Sequence, residues 1–265
     1  MSRYYRSFLV ESGSSYTSRT TSFASATGIT DTTILNALNT FDLGLISNGL
    51  DTKMKALYPF VGGTATTHKY NFMDARDLDV AYRLQFNGGW THSSTGALPN
   101  GTNTYADTYL IPNILTQNSN HISYYSRTSA ASTGHDFGAL GVSLNERFEM
   151  LIRYIDNNAY TTLMSTLQVG VPVTDGMAFW ISSRNNSTQV AHFRNNLKIA
   201  TTSQNSVSPS DFTMPCYIGA SNRPTPSYSA KECAMCTVGN GLSDTDASNL
   251  YTLVQAFQTA LSRQV

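Results

Sequence analysis

Asp74, Asp77 and Asp79 lie close together, with Arg76 between them and Arg83 just beyond. Paired carboxyls can cleave a glycosidic bond when held about 5–5.5 Å apart (retaining) or about 6.5–9.5 Å apart (inverting). On a strand, Asp77 and Asp79 would share a face. The same carboxylates could collect Ca²⁺, which takes several oxygen ligands. With arginines interleaved, the simpler expectation is an ion-pair network that orders a loop.

Downstream, Trp90-Thr-His92-Ser93 follows Gly88-Gly89. Trp90 and His92 on an exposed turn would make a platform for stacking a sugar. Alternatively, Trp90 is core and the glycines mark a bulge where a strand bends. The run Pro99-Asn-Gly-Thr-Asn-Thr-Tyr105 places Asn100, Asn103 and Tyr105 in a polar loop suited to hydroxyl ligands, although Asn-Gly is first a turn signal.

Other chemistries find no pattern. His68, His92, His121, His135 and His192 are dispersed, and none pairs at the i, i+4 spacing of a helical zinc site. Cys233-Ala-Met-Cys236 is a single C-x-x-C, with Cys216 the only other cysteine, too few for a structural zinc site from cysteines alone. On a regular strand Cys233 and Cys236 would point to opposite faces, so buried reduced thiols are expected. No Gly-x-Ser-x-Gly elbow, P-loop or dinucleotide fingerprint occurs.

These residues need a scaffold, and the pattern is mostly β. From Met54 onward, short alternating runs recur between turns rich in Asn, Gly, Ser and Pro. Candidate strands are 56–61, 80–86, 105–110, 121–126, 147–154, 176–182, 190–194, 197–201, 216–219 and 231–239, with a tight hairpin around Arg194-Asn-Asn196. In the run 80–86, Val80, Tyr82, Leu84 and Phe86 would share one face and Ala81, Arg83 and Gln85 the other. About ten short strands imply a sandwich or barrel.

Two helices flank it. Thr30 or Asp31 can cap a helix whose apolar positions are Ile34, Leu35, Leu38, Phe41, Leu45 and Ile46, ending at Asn48-Gly49. Asn39, Asp42 and Asn48 fall mostly on its other side. Ser243, with Asp246 three residues on, opens a second helix whose stripe is Leu250, Val254, Phe257 and Leu261. The expected organisation is an extended arm over 1–28, a helix and linker over 29–53, and the sandwich with its C-terminal helix over 54–265. The arm is Ser/Thr/Tyr-rich, and Tyr4, Tyr5, Phe8 and Leu9 are its candidate anchors for docking.

Of the 265 residues 40% are hydrophobic, enough for a full core, but only 13% are charged, with Ser, Thr and Asn making about a third. Net charge is zero and no basic run exists, so no nucleic-acid footprint is visible. No apolar window approaches a membrane span, and residues 1–10 lack a signal-peptide core. The odd cysteine count agrees with synthesis in a cytoplasm.

The run from Tyr58-Pro-Phe-Val-Gly-Gly63 through Asp74-Ala-Arg-Asp-Leu-Asp79 to Gly88-Gly-Trp-Thr-His-Ser93, with the closing helix 249–265, resembles a module of structural proteins in tailed phages, chiefly those infecting Bacteroidetes-type bacteria. The resemblance covers residues 29–265. The ending Gly239-Asn-Gly-Leu-Ser-Asp244 through Leu250-Tyr251 resembles the close of laminin-G-like, concanavalin A-like jelly rolls. Together they imply an all-β fold: a concanavalin A-like β-sandwich jelly roll with an N-terminal and a C-terminal helix packed on it.

That fold hosts both lectins and hydrolases, so it does not decide function. Its hydrolases usually carry Glu-x-Asp-x-x-Glu on one strand, which this chain lacks. Its lectins use Ca²⁺ in some cases, which leaves Ca²⁺ as a possible cofactor at the Asp74–Asp79 cluster; no other cofactor or metal is implied. The expectation is a non-enzymatic virion protein, made in the host cytoplasm: a fibre, spike or capsid decoration, by analogy a homotrimer, contacting other virion proteins and host surface glycan. The ligand-binding candidates are Trp90, His92, Asn100, Asn103 and Tyr105. The alternatives are an architectural joint without a ligand, and a polysaccharide depolymerase using Asp77 and Asp79.

Overall fold

The computed structural model describes residues 16–265. Tyr4, Tyr5, Phe8 and Leu9 lie outside the described residues. The helices are α1 (Ser18–Thr27), α2 (Thr32–Ser47), α3 (Ala65–His68) and α4 (Asp244–Ala260). The first strands are β1 (Met54–Tyr58), β2 (Gln85–Asn87), β3 (Thr91–Ser93), β4 (Gly96–Leu98), β5 (Tyr105–Asp107) and β6 (Asn120–Ser126). Next come β7 (Phe137–Leu140), β8 (Arg147–Leu151), β9 (Asn158–Ser165), β10 (Gly170–Pro172), β11 (Ala178–Arg184) and β12 (Gln189–Arg194). The last are β13 (Leu197–Ser203), β14 (Tyr217–Ile218), β15 (Ala220–Ser221), β16 (Ser227–Tyr228) and β17 (Cys233–Gly239).

Two antiparallel sheets form a jelly-roll-like sandwich. One has the order β13-β12-β11-β6-β17-β4-β3, with β1 also paired to β17; the other runs β10-β9-β8-β7-β14-β5-β2. Every residue of β6, β11 and β17 is buried, because that sheet has a core on each side. Tyr124, Trp180, Cys236 and Val238 meet Phe137, Phe148, Leu163 and Ile218 of the opposing sheet. Their strand neighbours Tyr125, Phe179, Ile181 and Met235 meet the helices instead, through Phe23, Leu38, Phe41, Leu250, Val254 and Phe257. The helix-side core contains no residue of the seven-stranded sheet. Among the described residues, no helix therefore covers the outer face of that sheet.

The helix ends follow side-chain caps. Asp31 Oδ1 accepts the Thr33 and Ile34 amides at 2.8 and 3.3 Å, and Ser243 with Asp246 forms a capping box. Gly44 allows α2 and α4 to cross closely, since a Cβ there would stand 2.3 Å from Leu253 Cδ2. Residues 18–27, expected as the end of an extended arm, form α1. Thr17 caps it, Gly28 closes it with φ 71°, and Phe23 is buried edge-on against Phe72 with centroids 5.3 Å apart. Asp42, expected on the outer side of α2, is buried beneath α1 and accepts a hydrogen bond from Arg19 Nε at 2.7 Å.

Two further expectations change. The run 80–86 is not a strand: residues 79–81 make a 3-10 turn, Val80 is 74% exposed, and only Gln85–Asn87 pairs in a sheet. Cys233 and Cys236 both enter the inter-sheet core, because a bulge between Cys233 and Met235 shifts the alternation by one residue. The hairpin around Asn195 forms as expected, with Arg194 paired to Leu197.

Arg263 fastens the layers. It is buried, and its guanidinium donates to the carbonyls of Phe60 (2.8 Å), Pro59 (2.7 Å) and Ala234 (3.1 Å), while Nε donates to Gln258 (2.6 Å). Arg263→Met should lower the unfolding free energy by roughly 3 kcal/mol, since several buried acceptors lose a charged donor. Urea unfolding measures this; a loss below about 1 kcal/mol would show that the helix layer docks without it.

Candidate functional site

The site begins with two short strands. In Tyr105-Ala-Asp107 the alternation sends Ala106 into the core and leaves Tyr105 and Asp107 on the outer face; in Tyr217-Ile218, Ile218 is core and Tyr217 is outer. Register then assembles a row. Asp107 pairs with Tyr217 on one side and Gln85 on the other, and Tyr105 pairs with Asn87. The Tyr105 and Tyr217 rings stack at 4.3 Å with 22° between planes. Both rings are half-buried, and Gln85 is exposed.

Around this pair, Tyr109 donates its hydroxyl to Gln85, and the Arg83 guanidinium lies over the Tyr109 ring at 5.6 Å. Asp107 Oδ1 accepts the Tyr109 amide at 2.8 Å. Burial, reinforced by Asp79, raises the Asp107 carboxyl above its ordinary value. Burial, then Asp107, Tyr105 and Tyr228, push the Tyr217 phenol up to about 12. Both groups thus keep their protons more readily than they would in water.

A buried carboxylate builds the wall beside this row. Glu149 accepts hydrogen bonds from Ser221 and Arg223, and from Arg147 Nη1 at 3.2 Å; His135 Nε2 lies 3.6 Å away. Burial opposes its ionisation, but His135, Arg223 and Ser221 outweigh that and hold the carboxyl below its ordinary value. The clasp pins the β15–β16 hairpin over β7 and β8. Gly138, at φ 138°, opens the path, because a Cβ there would stand 2.9 Å from Glu149 Cγ and 2.3 Å from the Phe148 carbonyl.

The five sequence-derived candidates divide. Tyr105 is on the row. Trp90 is half-buried against the inter-sheet core, edge-on to Phe86 at 5.4 Å, and its ring fills the space over Gly219. Its indole Nε1 is buried without a partner among the described residues. Asn100 is spent on its own loop: Oδ1 accepts the Thr102 and Asn103 amides at 2.9 and 3.1 Å, and Nδ2 donates to Asn103 Oδ1 at 2.7 Å. His92 points to His68 rather than outward, with Nδ1 to Nδ1 at 2.9 Å.

That imidazole pair is not arranged for a metal. The Gly63 amide donates to His68 Nε2 at 3.2 Å, so the His68 proton sits on Nδ1 and is donated to His92 Nδ1. Burial, with His92 and Arg263, pushes His68 down to about 3. Among the described residues, no group of three or more His, Cys, Asp or Glu could hold a metal ion. The expected ion-pair network is present: Asp74 with Arg76 (2.5 Å), Asp77 with Lys69 (2.5 Å) and Asp79 with Arg83 (2.8 Å). All three cysteines are free and buried. No described helix is long and apolar enough to cross a membrane.

Asp107, Tyr217, Gln85, Glu149 and Arg223 did not emerge as site residues from the sequence. The alternation around Tyr105 and Tyr217 could have suggested outward aromatics, but cross-strand register is needed to bring them together.

No family model matches the chain, and no curated protein matches it in sequence. Solved structures match its fold. Domain 4 of AbnA, a GH43 extracellular arabinanase from Geobacillus stearothermophilus, in complex with arabinotriose, gives a TM-score of 0.52 at 12% identity, over 75% of this chain and 98% of that one. The binding domain of botulinum neurotoxin DC in complex with rat synaptotagmin II gives 0.53 at 11%, over 77% of this chain and 52% of that one. A structure of botulinum neurotoxin type C, whose cell entry depends on interaction with two ganglioside molecules, gives 0.51 at 12%, over 78% and 53%. The chain spans about half the length of the toxin chains. At these identities the likeness is one of fold.

Two outcomes are expected. Burial pushes His68 to about 3 and holds His121 and His192 at about 4. Unfolded histidines take up protons near pH 6.5, so between about pH 6.5 and 4 the unfolded chain binds more protons, and stability falls as pH falls, by about 1.4 kcal/mol per pH unit per histidine. Urea midpoints across that range test this, and a flat profile would refute it. Gly138→Ala should cost about 1–3 kcal/mol and loosen the 220–228 hairpin, read as faster amide exchange there; unchanged exchange would count against the clasp.

Proposed function

We propose that this chain is a non-enzymatic, glycan-contacting protein of a virion exterior, acting as a fibre, spike or decoration component. The observation that carries the contact is the stacked Tyr105–Tyr217 pair on a sheet face that, among the described residues, no helix covers. Aromatic rings beside amide and carboxylate acceptors, here Gln85, Asn87 and Asp107, suit a polyol with one apolar ring face. The virion assignment rests on the sequence resemblance to tailed-phage structural modules. Support from fold comes from the neighbours, one of which is a domain in complex with arabinotriose.

The non-enzymatic reading is supported by how the carboxylates are used. Asp77 and Asp79 are exposed and paired with Lys69 and Arg83, the arrangement of a surface ion-pair network. A shallow, half-buried aromatic site binds weakly, and a homotrimer repeated on one particle would multiply it by avidity.

Fluorescently labelled protein, displayed multivalently, should bind intact host-type bacteria and lose binding when surface polysaccharide is stripped. Tyr105→Ala and Tyr217→Ala should each weaken binding about tenfold, equivalent to ~1.4 kcal/mol. Binding that survives stripping, or is absent throughout, would favour an architectural joint. Release of reducing ends that disappears in Asp77→Asn would instead mark a depolymerase.

A further inference from the structure

We propose that the face built on β2, β5 and β14 takes a neutral glycan and rejects an acidic one, with Asp107 as the central acceptor for sugar hydroxyls and Tyr217 and Tyr105 as the stacking surface. This rests on the glycan-contact reading above.

Asp107 stands at the centre of the row, between Gln85 and Tyr217. Among the described residues no cation pairs with it; its one protein hydrogen bond comes from the Tyr109 amide to Oδ1. The cations nearby are already committed. Arg83 pairs with Asp79 at 2.8 Å and Asp77 at 3.7 Å. Lys69 pairs with Asp77 at 2.5 Å. Arg147 and Arg223 both serve the buried Glu149. A uronate, sialate or sulfate ester would bring its charge up to Asp107 and find no free cation to neutralise it.

A neutral sugar does not meet that obstacle. Its hydroxyls can donate to Asp107 and exchange hydrogen bonds with Gln85 and Asn87, while a ring face covers Tyr217. Burial and Asp79 already raise the Asp107 carboxyl, which makes the site a poor host for a further anion. The low charge content of the chain, 13%, points the same way.

The test uses the full chain at high surface density. It is probed with neutral polymers (arabinan, mannan, galactan, dextran), acidic polymers (alginate, polygalacturonate, chondroitin sulfate) and chitosan, at low salt and at about 0.5 M NaCl, where charge attraction is screened within a few Å. At least one neutral polymer should bind, with affinity changing less than about twofold with salt. Tyr217→Ala and Gln85→Ala should weaken it about tenfold, and Asp107→Asn should weaken it while admitting acidic polymers. Gln85 is exposed, so its variant keeps the test valid if Tyr217→Ala fails to fold. Binding confined to acidic polymers or chitosan, and collapsing in salt, overturns the inference but leaves the glycan-contact reading standing. No binding to any polymer, together with none to unstripped bacteria, overturns both.

Discussion

A buried guanidinium without a carboxylate partner is costly to keep, and Arg263 has none among the described residues. Burial and the nearby Arg127 lower its pKa to about 10. What holds it is a cage of carbonyls from three separate places in the chain: Pro59 and Phe60 after β1, Ala234 in β17, and, at 3.4 Å, Ser94 in the β3–β4 turn. Arg127 in turn donates to the Arg263 carbonyl, and the Val265 amide donates to Tyr125 at 2.8 Å. One side chain near the C-terminal end thus ties α4 to the middle of the eight-stranded sheet. Carbonyl dipoles can stabilise a cation without the strict geometry of a salt bridge, but only if every donor is met.

Most of the remaining organisation follows from that attachment. With α4 fixed, α2 packs on it through Phe41 and Phe257, 5.3 Å apart, and α1 packs on α2 through Arg19 and Asp42. The helices then supply the second hydrophobic face that the fully buried strands β6, β11 and β17 require. His68 sits near Arg263, feels its charge, and passes a fixed tautomer to His92. The helix layer covers the middle of one sheet face, and among the described residues no helix covers the outer face of the other sheet.

The parts legible in the sequence are those governed by local chemistry. The caps of α2 and α4, the Asn195 hairpin and the loop ion pairs each depend on residues a few positions apart. The parts that were not legible depend on partners far along the chain. α1 has one large buried apolar side chain, Phe23, whose partner Phe72 lies on a loop, so its sequence reads as a polar arm. The strand Asn158–Ser165 opens in an Asp-Asn-Asn turn and carries two threonines and a tyrosine, and its apolar half is understood only once Leu163 meets the opposing sheet. Trp90 illustrates the limit best: the same residues carry both readings, platform and core, and the ring packs over Gly219 while staying half-buried. Tyr105 was legible as a polar-loop aromatic, but Tyr217, its stacking partner, is joined to it only by strand register.

The two carboxylates of the outer face show how one sheet surface separates structure from recognition. Glu149 and Asp107 lie on the same face with opposite treatment. Glu149 is fully buried, satisfied by two arginines and a serine, and held ionised; its lone pairs are spent, and it anchors a wall. Asp107 has one protein donor, no paired cation among the described residues, and a raised pKa; acceptor capacity remains. Asp107 is only partly buried, so a ligand beside the stacked tyrosine pair can donate to its remaining lone pairs. Water can do so weakly and a polyol can do so while covering the rings. The site is therefore defined less by the residues that look reactive in the sequence than by which polar groups the fold leaves unspent.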